Sequence, residues 1–133
     1  MDSDALSAGI ASPALDRMRL AYMTVAMRDP NPVHLEDEAA RRAGLPSHIA
    51  HGTFAVAYLA ATVSRLAGID RLRELDVRLV APVFGGDRLQ TSGEVEAPDT
   101  VAVVASRQDG TVVARGTVRI HGPEQSTSVE EPR

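Results

Sequence analysis

The stretch RDPNPVHLEDEAARRAGLPSHIAHGTFAVAYL, residues 28–59, decides the fold and carries the candidate chemistry. It places a carboxylate and an imidazole five residues apart, Asp29 and His34, across a turn that contains two prolines. Proline fixes its own φ and biases the preceding residue toward an extended conformation, so Pro30 and Pro32 stiffen the path between the two side chains. Such a turn can bring two groups onto one small molecule, and it can equally be a tight structural turn, so the spacing alone leaves both interpretations open.

The end of this stretch opens the longest apolar segment of the chain. Residues 52–67 read GTFAVAYLAATVSRLA, with one arginine and no acid, and Gly68 follows. A helix that is apolar nearly all round is buried on most sides, and its many alanines let strands approach closely. The sequence therefore predicts a central buried helix that ends at Gly68.

Two shorter helices are predicted before the central one. Asp16 can cap a helix from about Arg17 to Met27, and the residues expected on its buried side are Leu20, Met23, Val25 and Met27. A second helix is predicted from Glu36 to Arg42, with acids in its first turn, arginines in its last turn, and Gly44 suited to the C′ position. The charges of this second helix indicate a solvated face.

The remainder of the chain predicts strands. Alternating or β-branched segments occupy residues 75–80, 89–96, 100–107 and 111–120, and Asp109-Gly110 between the last two is a strong hairpin signal. Gly86-Asp87 is expected to form another hairpin corner. Consecutive hairpins favour an antiparallel sheet. Residues 1–12 are expected to be poorly ordered apart from a short edge strand at Leu6 to Ile10, and residues 123–133 are expected to be flexible.

Length and composition limit the classes of protein to which the chain can belong. The length of 133 residues suits one domain over residues 1–133. There is no cysteine, which excludes a disulfide framework and a thiol nucleophile. The net charge of −4, with arginines scattered among acids, does not form the basic stripe of a nucleic-acid surface. The acidic start lacks the basic region of a signal peptide and no apolar run is long enough to span a bilayer, so a cytoplasmic protein is expected.

Three blocks resemble the MaoC-like (R)-specific enoyl-CoA hydratases and dehydratases. Asp29-Pro30-Asn31-Pro32-Val33-His34 followed by Ala40 resembles the D-x-N-P-x-H-x(5)-A signature of that family, and Ile49-Ala50-His51-Gly52 is similar to its second block. The segment 81–89, APVFGGDRL, is similar to its third block. The resemblance implies an α+β hotdog fold, in which an antiparallel sheet wraps a long helix and which usually pairs into a dimer.

The resemblance also implies a reaction. Hydration of an enoyl thioester needs a base for the attacking water, an acid for the α-carbon and donors for the thioester oxygen. The family pattern assigns the proton-transfer roles to Asp29 and His34, and the oxyanion role to the amide of Gly52 at the helix start. In the structural alternatives, Asp29 caps a turn beside His34 and Gly52 permits a tight entry to the helix. The family often has glycine in place of Arg28.

Several further residues are candidates for substrate binding. They are Arg28, Asn31, His51, Thr53 and Phe54. Arg28 could meet a phosphate of coenzyme A or of a carrier's phosphopantetheine, and Asn31 is expected to hydrogen-bond the backbone of its own turn. His51 is more readily explained as a buried structural residue hydrogen-bonded to backbone. No cofactor is expected beyond coenzyme A or phosphopantetheine as the substrate's carrier, and no metal, because His48 and His51 lack a third ligand at a typical spacing.

Two other activities compete with a self-sufficient hydratase. Some MaoC-like proteins act as hetero-oligomers, and a chain that retains Asp29, His34 and Gly52 would be the partner that carries the dyad. A hotdog thioesterase usually places a carboxylate on or near the central helix, and residues 52–67 contain none. The expected partners are therefore an acyl thioester, a second hotdog chain of the same or a related kind, and an acyl carrier protein if the substrate is carrier-bound.

Overall fold

The computed structural model describes residues 1–122. The helices are α1 (Ser3–Ala8), α2 (Arg17–Met27), α3 (Asp37–Arg42) and α4 (Gly52–Ala67), with 3₁₀ turns at Pro32–His34 and Ile69–Arg71. The strands are β1 (Leu72–Leu79), β2 (Leu89–Ala97), β3 (Thr100–Arg107) and β4 (Val112–Ile120). The predicted central helix has these bounds, and each predicted strand is present with ends shifted by at most three residues.

The four strands form one antiparallel sheet in the order β1-β4-β3-β2. The β3–β4 pair is the hairpin predicted at Asp109-Gly110, where Gly110 has a φ of 85° and the side chain of Asp109 accepts from the amide of Thr111. Helix α4 contacts all four strands. The long helix therefore lies against one face of the sheet, as the apolar character of residues 52–67 predicted.

The core fills the space between α4 and the sheet. Phe54, Leu59 and Val63 on the helix are buried, and they belong to one hydrophobic cluster with inward-facing residues of the strands: Leu89, Val101, Val103, Ala105, Ala114, Val118 and Ile120. The alternation of buried and exposed positions along β3 is that of a sheet packed on one side. Burial of this apolar surface is the main force that holds α4 in place.

The N-terminal segment differs from its prediction. The expected edge strand at Leu6 to Ile10 is wrong, because residues 3–8 form a helix that Asp2 caps by accepting from the amides of Asp4 and Ala5. Gly9, with a φ of 62°, ends the helix, and the chain then pairs briefly with β2 at Ala11. Leu6 is fully buried in the core, so this segment is part of the fold, in contrast to the expected disorder. Residues 123–133 lie outside the described residues.

Two more expectations need correction. On α2, Leu20 is buried and Met23 packs against the core, but Val25 is 77% and Met27 48% exposed, so only a narrow side of this helix faces inward. Gly86-Asp87 forms a turn closed by the amide of Asp87 donating to the carbonyl of Phe84. That turn is not a hairpin corner, because the strands on either side of it, β1 and β2, lie at opposite edges of the sheet.

The two edges of the sheet differ in whether another segment of the chain pairs with them. The β2 edge is covered, because the amide of Ser12 donates to the carbonyl of Leu89 and the amide of Thr91 donates to that of Ile10. Among residues 1–122, no strand pairs with the outer edge of β1. Leu79 on this edge is 53% exposed and the adjoining Val80 is 44% exposed. An open edge of this kind leaves backbone N–H and C=O groups available for pairing. None of the described helices has the length and hydropathy of a membrane span.

Candidate active site

Helix α2 ends in a way that presents Asp29. Arg28 follows the helix with φ 49° and ψ 41°, the left-handed conformation that lets the chain turn back on itself. The amide of Asp29 then donates to the carbonyl of Thr24 at 3.0 Å. Most non-glycine residues avoid this conformation. Arg28 is the one described non-glycine residue with a positive φ, and it directly precedes the candidate catalytic carboxylate.

The turn that follows is held by its own side chains. Oδ1 of Asp29 accepts from the amide of Asn31 at 3.2 Å, and Oδ1 of Asn31 accepts from the amide of Val33 at 3.2 Å. The role predicted for Asn31 in the turn is therefore confirmed. With Pro32 opening the 3₁₀ turn, the chain places His34 back beside Asp29.

Asp29 and His34 meet through one oxygen and one nitrogen. Nε2 of His34 lies 3.2 Å from Oδ2 of Asp29, while Nδ1 of His34 lies 2.8 Å from the carbonyl oxygen of Ile49. The imidazole is only 10% exposed, whereas the carboxylate is 43% exposed. The pair therefore has a buried member fixed by the backbone and an open member that solvent or a ligand can reach.

The hydrogen bond between His34 and Ile49 sets the orientation of the imidazole ring. A carbonyl oxygen can only accept, so Nδ1 of His34 carries a proton and donates it to Ile49. Nε2 of His34 is thereby left facing Oδ2 of Asp29 at 3.2 Å. General acid–base chemistry needs proton-transfer groups within hydrogen-bond reach of the reacting atoms, and this pair presents an imidazole nitrogen and a carboxylate oxygen side by side.

His51 lies directly against this pair. Its ring stacks on that of His34, with centroids 3.7 Å apart and planes inclined by 20°. Its Nε2 lies 3.3 Å from Oγ1 of Thr24, and its Nδ1 is buried with no hydrogen-bond partner among the described residues. The expected hydrogen bond from His51 to backbone is wrong, since its partner is a hydroxyl from α2. Burial and the neighbouring His34 lower the pKa of His51, against a smaller opposing effect of Asp29.

The start of α4 lies next to the pair. Gly52 is its first residue, and the preceding His51 provides no side-chain cap. The amide of Phe54 donates to the carbonyl of His51, whereas the amide of Gly52 has no partner among the described residues. A Cβ at Gly52 would overlap Cδ1 of Leu79. Phe54 is 9% exposed and belongs to the core, and Oγ1 of Thr53 is buried without a partner among residues 1–122.

An open cleft of about 250 Å³ adjoins Gly52. Its walls are entirely apolar: Ile49, Ala50, Gly52, Ala55, Leu79, Ala81, Pro82, Val83 and Val113. The second and third sequence blocks thus line one cleft, because the amide of Ala50 donates to the carbonyl of Val83 at 2.7 Å.

A second aspartate–histidine pair lies in the same region, and the sequence analysis missed it. Oδ1 of Asp37 accepts from the amide of His48 at 3.0 Å and lies 2.6 Å from its Nδ1, while Oδ2 accepts from Arg17 at 2.9 Å. The hydrogen bond from the amide of His48, followed by the one from its ring, lowers the pKa of Asp37 to about 2. The charged side chains of α3 lie on an exposed face as predicted, and Asp37, which is 34% exposed, also holds His48 and Arg17.

Donor atoms of Asp29, His34 and His51 lie within 4.8 Å of one another, which raises the question of a metal. An imidazole binds a metal through a lone pair in the plane of its ring. The rings of His34 and His51 are stacked, so their lone pairs lie in nearly parallel planes 3.7 Å apart and do not converge on one point. The arrangement does not suit coordination by both rings. His48, the other histidine considered as a ligand, is engaged by Asp37.

Comparison with known families matches this chain to one of them. The family model described as "MaoC like domain" matches residues 17–118, which include all three sequence blocks. The chain therefore belongs to the MaoC-like domain family, and the resemblance stated from the sequence is confirmed. Among curated proteins, none matches the sequence.

Solved structures confirm the hotdog fold. An (R)-hydratase from A. caviae involved in PHA biosynthesis has a TM-score of 0.77 at 20% identity, covering 86% of this chain and 92% of that one. The R-hydratase PhaJ1 from Pseudomonas aeruginosa has a TM-score of 0.71 at 24% identity, covering 89% and 83%. The ChsH1-ChsH2 complex from Mycobacterium tuberculosis gives 0.66 at 22% identity, covering 86% and 98%.

Proposed function

We propose that the protein is a hydro-lyase that reversibly adds water to trans-2-enoyl thioesters to give (R)-3-hydroxyacyl thioesters. The observation that carries this proposal is the pairing of Nε2 of His34 with Oδ2 of Asp29 at 3.2 Å, beside the start of α4. Membership of the MaoC-like family supports the same reaction class. The carrier of the acyl group is coenzyme A or the phosphopantetheine of a carrier protein.

The reaction needs two proton transfers and no redox partner. The oxygen of water forms a bond to the β-carbon as one of its protons passes to the dyad, and the π electrons of the double bond move toward the thioester. A proton from the dyad then forms the new bond at the α-carbon. Asp29 and His34 can perform both transfers because Nε2 and Oδ2 lie 3.2 Å apart and can converge on one water.

Negative charge develops on the thioester oxygen during this reaction. The amide of Gly52 is the proposed donor, because it opens a helix of 16 residues whose first amides are not capped by a side chain. A helix start also places the positive end of the helix dipole at that oxygen. Donors aimed at developing charge are commonly the largest single contribution to such catalysis.

A thioester bound at Gly52 determines where the other parts of the substrate would bind. The apolar cleft between α4 and the segment from Leu79 to Val83 would receive the acyl chain. Thr53 and His51 contribute to the walls near the reacting carbons, and Phe54 supports them from the core. Arg28, exposed beside Asp29, would meet a phosphate of the carrier.

The protein is also proposed to act as an assembly of two hotdog chains. The unpaired edge of β1 carries exposed Leu75, Leu79 and Val80, which a second sheet edge would cover. Leu79 lines the cleft at Gly52, so a chain that covers this edge would also close the substrate site. A homodimer is the simplest form. A related hotdog chain is the alternative, in which this chain carries the dyad.

The test is a direct assay on the purified protein. Crotonyl-CoA and a longer or branched enoyl-CoA are added, and loss of the enoyl thioester absorbance is followed, with chiral analysis of the hydroxyacyl product. The proposal predicts hydration to the (R) product and loss of that activity in His34→Ala. Release of free thiol without hydration would indicate a thioesterase. A folded protein that hydrates no enoyl thioester, on coenzyme A or on a carrier, would contradict the proposal.

A further inference from the structure

His51 has a defined protonation state. Oγ1 of Thr24 donates to the carbonyl of Leu20 at 3.0 Å, and a hydroxyl has only one proton. The same Oγ1 must therefore accept from Nε2 of His51, which lies 3.3 Å away. His51 is thus the Nε2–H tautomer, with the lone pair on Nδ1. His34 is the opposite tautomer, since its Nδ1 donates to Ile49.

A second proton on His51 is disfavoured by its surroundings. It would go onto Nδ1, which is buried and has no acceptor among the described residues. The ring is only 4% exposed and lies face to face with His34. The groups that face it are the imidazole of His34 and the carboxylate of Asp29 on the turn, the hydroxyl of Thr24 on α2, and the ring of Phe54 on α4. Only Asp29 favours the charged form.

Thr24 connects His51 to the dyad a second time. Its carbonyl accepts from the amide of Asp29 at 3.0 Å, and its hydroxyl accepts from His51. One residue of α2 therefore fixes the backbone of the carboxylate and the ring that stacks on the imidazole. The ring edge of His34 contacts Ile49 and Asp29, and one face of the ring is covered by His51. Displacement of His51 would remove this cover and let the ring of His34 tilt.

We propose that His51 is a positioning residue, which stacks as a neutral ring on His34 and holds its Nε2 in line with Oδ2 of Asp29. This inference rests on the proposed function, because it assigns His51 a part in the same proton transfer. His51 itself exchanges no proton with the substrate. Its neutrality matters because the dyad then gains and loses a proton beside an uncharged ring, whereas a charged neighbour at 3.7 Å would oppose protonation of His34.

The first test measures tautomers and needs no substrate. Imidazole nitrogen NMR on the wild-type protein should show His51 as the neutral Nε2–H form from about pH 7 to about pH 8, above the ordinary pKa of an imidazole. His34 should keep a proton on Nδ1 over the same range. A neutral His51 with its proton on Nδ1, or a His51 that becomes charged within that range, would overturn the inference even if hydratase activity is present.

The second test uses kinetics. His51→Ala removes the stacking ring, and kcat should fall on the order of 10²-fold with little change in KM, as for a displaced reacting group. His51→Phe restores a flat ring that cannot titrate, so it should recover most of that loss and keep the wild-type pH limbs of kcat/KM. His48→Ala, which removes a buried histidine outside the stack, is the matched control and should keep kcat per folded molecule.

The outcomes separate this inference from the proposed function. If His51→Phe loses one limb of the pH profile, His51 is itself an acid or base and the positioning role is wrong. If His51→Ala folds and keeps wild-type kcat, the positioning role is also wrong, although hydration by Asp29 and His34 stands. If the wild-type protein hydrates no enoyl thioester, the proposed function fails, and the NMR result still decides whether His51 is the neutral, stacked tautomer.

Discussion

Two aspartate–histidine pairs lie close together in the chain, and their hydrogen bonds differ. In Asp37–His48, one carboxylate oxygen accepts from the amide and lies against the ring of His48, and the other accepts from Arg17. In Asp29–His34, the histidine is anchored through Nδ1 to the carbonyl of Ile49, and its Nε2 faces Oδ2 of the carboxylate at 3.2 Å. The two pairs have the same residue types, but His48 contacts its aspartate through Nδ1 and His34 contacts its aspartate through Nε2.

The difference indicates what distinguishes a structural pair from a reactive one. Both oxygens of Asp37 are occupied by protein donors, and Arg17 and His48 tie α2 and the loop before α4 to α3. Oδ1 of Asp29 accepts from the amide of Asn31, whereas Oδ2 contacts the ring of His34 as its one partner among the described residues. The carboxylate of Asp29 is 43% exposed and that of Asp37 is 34% exposed. Arg17 holds the second oxygen of Asp37, so the proposed chemistry is placed on Asp29 and His34, where Oδ2 meets the imidazole without a competing guanidinium among the described residues.

The largest expected effect comes from breaking the reactive pair. Asp29→Asn and His34→Ala should each lower kcat/KM for hydration by about 10²–10⁴-fold, because either change removes a proton-transfer group. The double variant should be little slower than the worse single one, since both residues act on one water. Steady-state kinetics with circular dichroism on the same samples measures both effects. Losses that multiply in the double variant would show that the two residues act independently.

Gly52 offers the next largest effect. Gly52→Ala should lower kcat on the order of 10²-fold, because a side chain at the start of the helix crowds a thioester that is bound against the amide. The new Cβ would also displace Leu79, so stability falls for a separate reason. The variant Gly52→Ala/Leu79→Ala relieves that overlap, with Leu79→Ala alone as its control. Recovery of melting temperature without recovery of kcat is the expected result, and recovery of both would remove the oxyanion role from Gly52.

Breaking the structural pair should reduce stability and spare catalysis. His48→Ala removes a buried ring that hydrogen-bonds Asp37, and the cost should be about 1–3 kcal/mol of unfolding free energy. Urea denaturation measures this cost, and turnover per folded molecule should stay near the wild-type value. A stable His48→Ala protein with lost turnover would mean that the second pair takes part in the reaction.

The same pair predicts an acid dependence of stability. The pKa of Asp37 is lowered from 3.8 to about 2, mainly by the hydrogen bond from the amide of His48. The folded state therefore binds a proton less readily than the unfolded state, so this stabilisation is complete above about pH 4 and is lost as the pH falls through 2. Melting temperatures of the wild type and Asp37→Asn should converge over that interval. A difference that stays constant down to pH 2 would contradict the lowered pKa.

The smallest expected effect concerns the turn that presents Asp29. Arg28 has a left-handed backbone, so Arg28→Gly should raise the free energy of unfolding by up to about 1 kcal/mol. If Arg28 binds a phosphate of the carrier, KM for an enoyl-CoA should rise while kcat stays the same. Arg28→Ala, which keeps the backbone strain, separates the two effects. An unchanged KM in both variants would leave Arg28 with no part in binding.

Much of the fold could be predicted because local signals agreed with the final packing. The apolar run of α4, its closing Gly68, the Asp16 cap and the Asp109-Gly110 turn each act within a few residues. The N-terminal helix was mistaken for a strand, because its two end signals, the cap at Asp2 and the stop at Gly9, were not recognised. The burial of Leu6 could not be predicted locally, because Leu6 packs against Gly93, more than 80 residues away in the sequence. Exposure of Val25 and Met27 likewise depends on which parts of the chain reach α2.

The candidate site was also predicted only in part from the sequence. The family blocks pointed to Asp29, His34 and Gly52. The structure pairs Asp29 with His34 and stacks His34 on His51, the residue before Gly52. The carbonyl of Ile49 and the hydroxyl of Thr24 leave no sequence signal, since any residue has a carbonyl and threonines are common on helices. The pairing of Asp37 with His48 was hidden because Asp37 also fits the charge pattern of a solvated helix.

The most direct test of the account compares the two aspartates under one set of conditions. kcat/KM for the same enoyl thioester is measured for Asp29→Asn and Asp37→Asn, each corrected for the folded fraction. The account predicts a loss of about 10²–10⁴-fold for Asp29→Asn, while Asp37→Asn lowers the melting temperature and keeps near wild-type turnover per folded molecule. Equal losses in the two variants, or near-normal turnover in a folded Asp29→Asn protein, would contradict it.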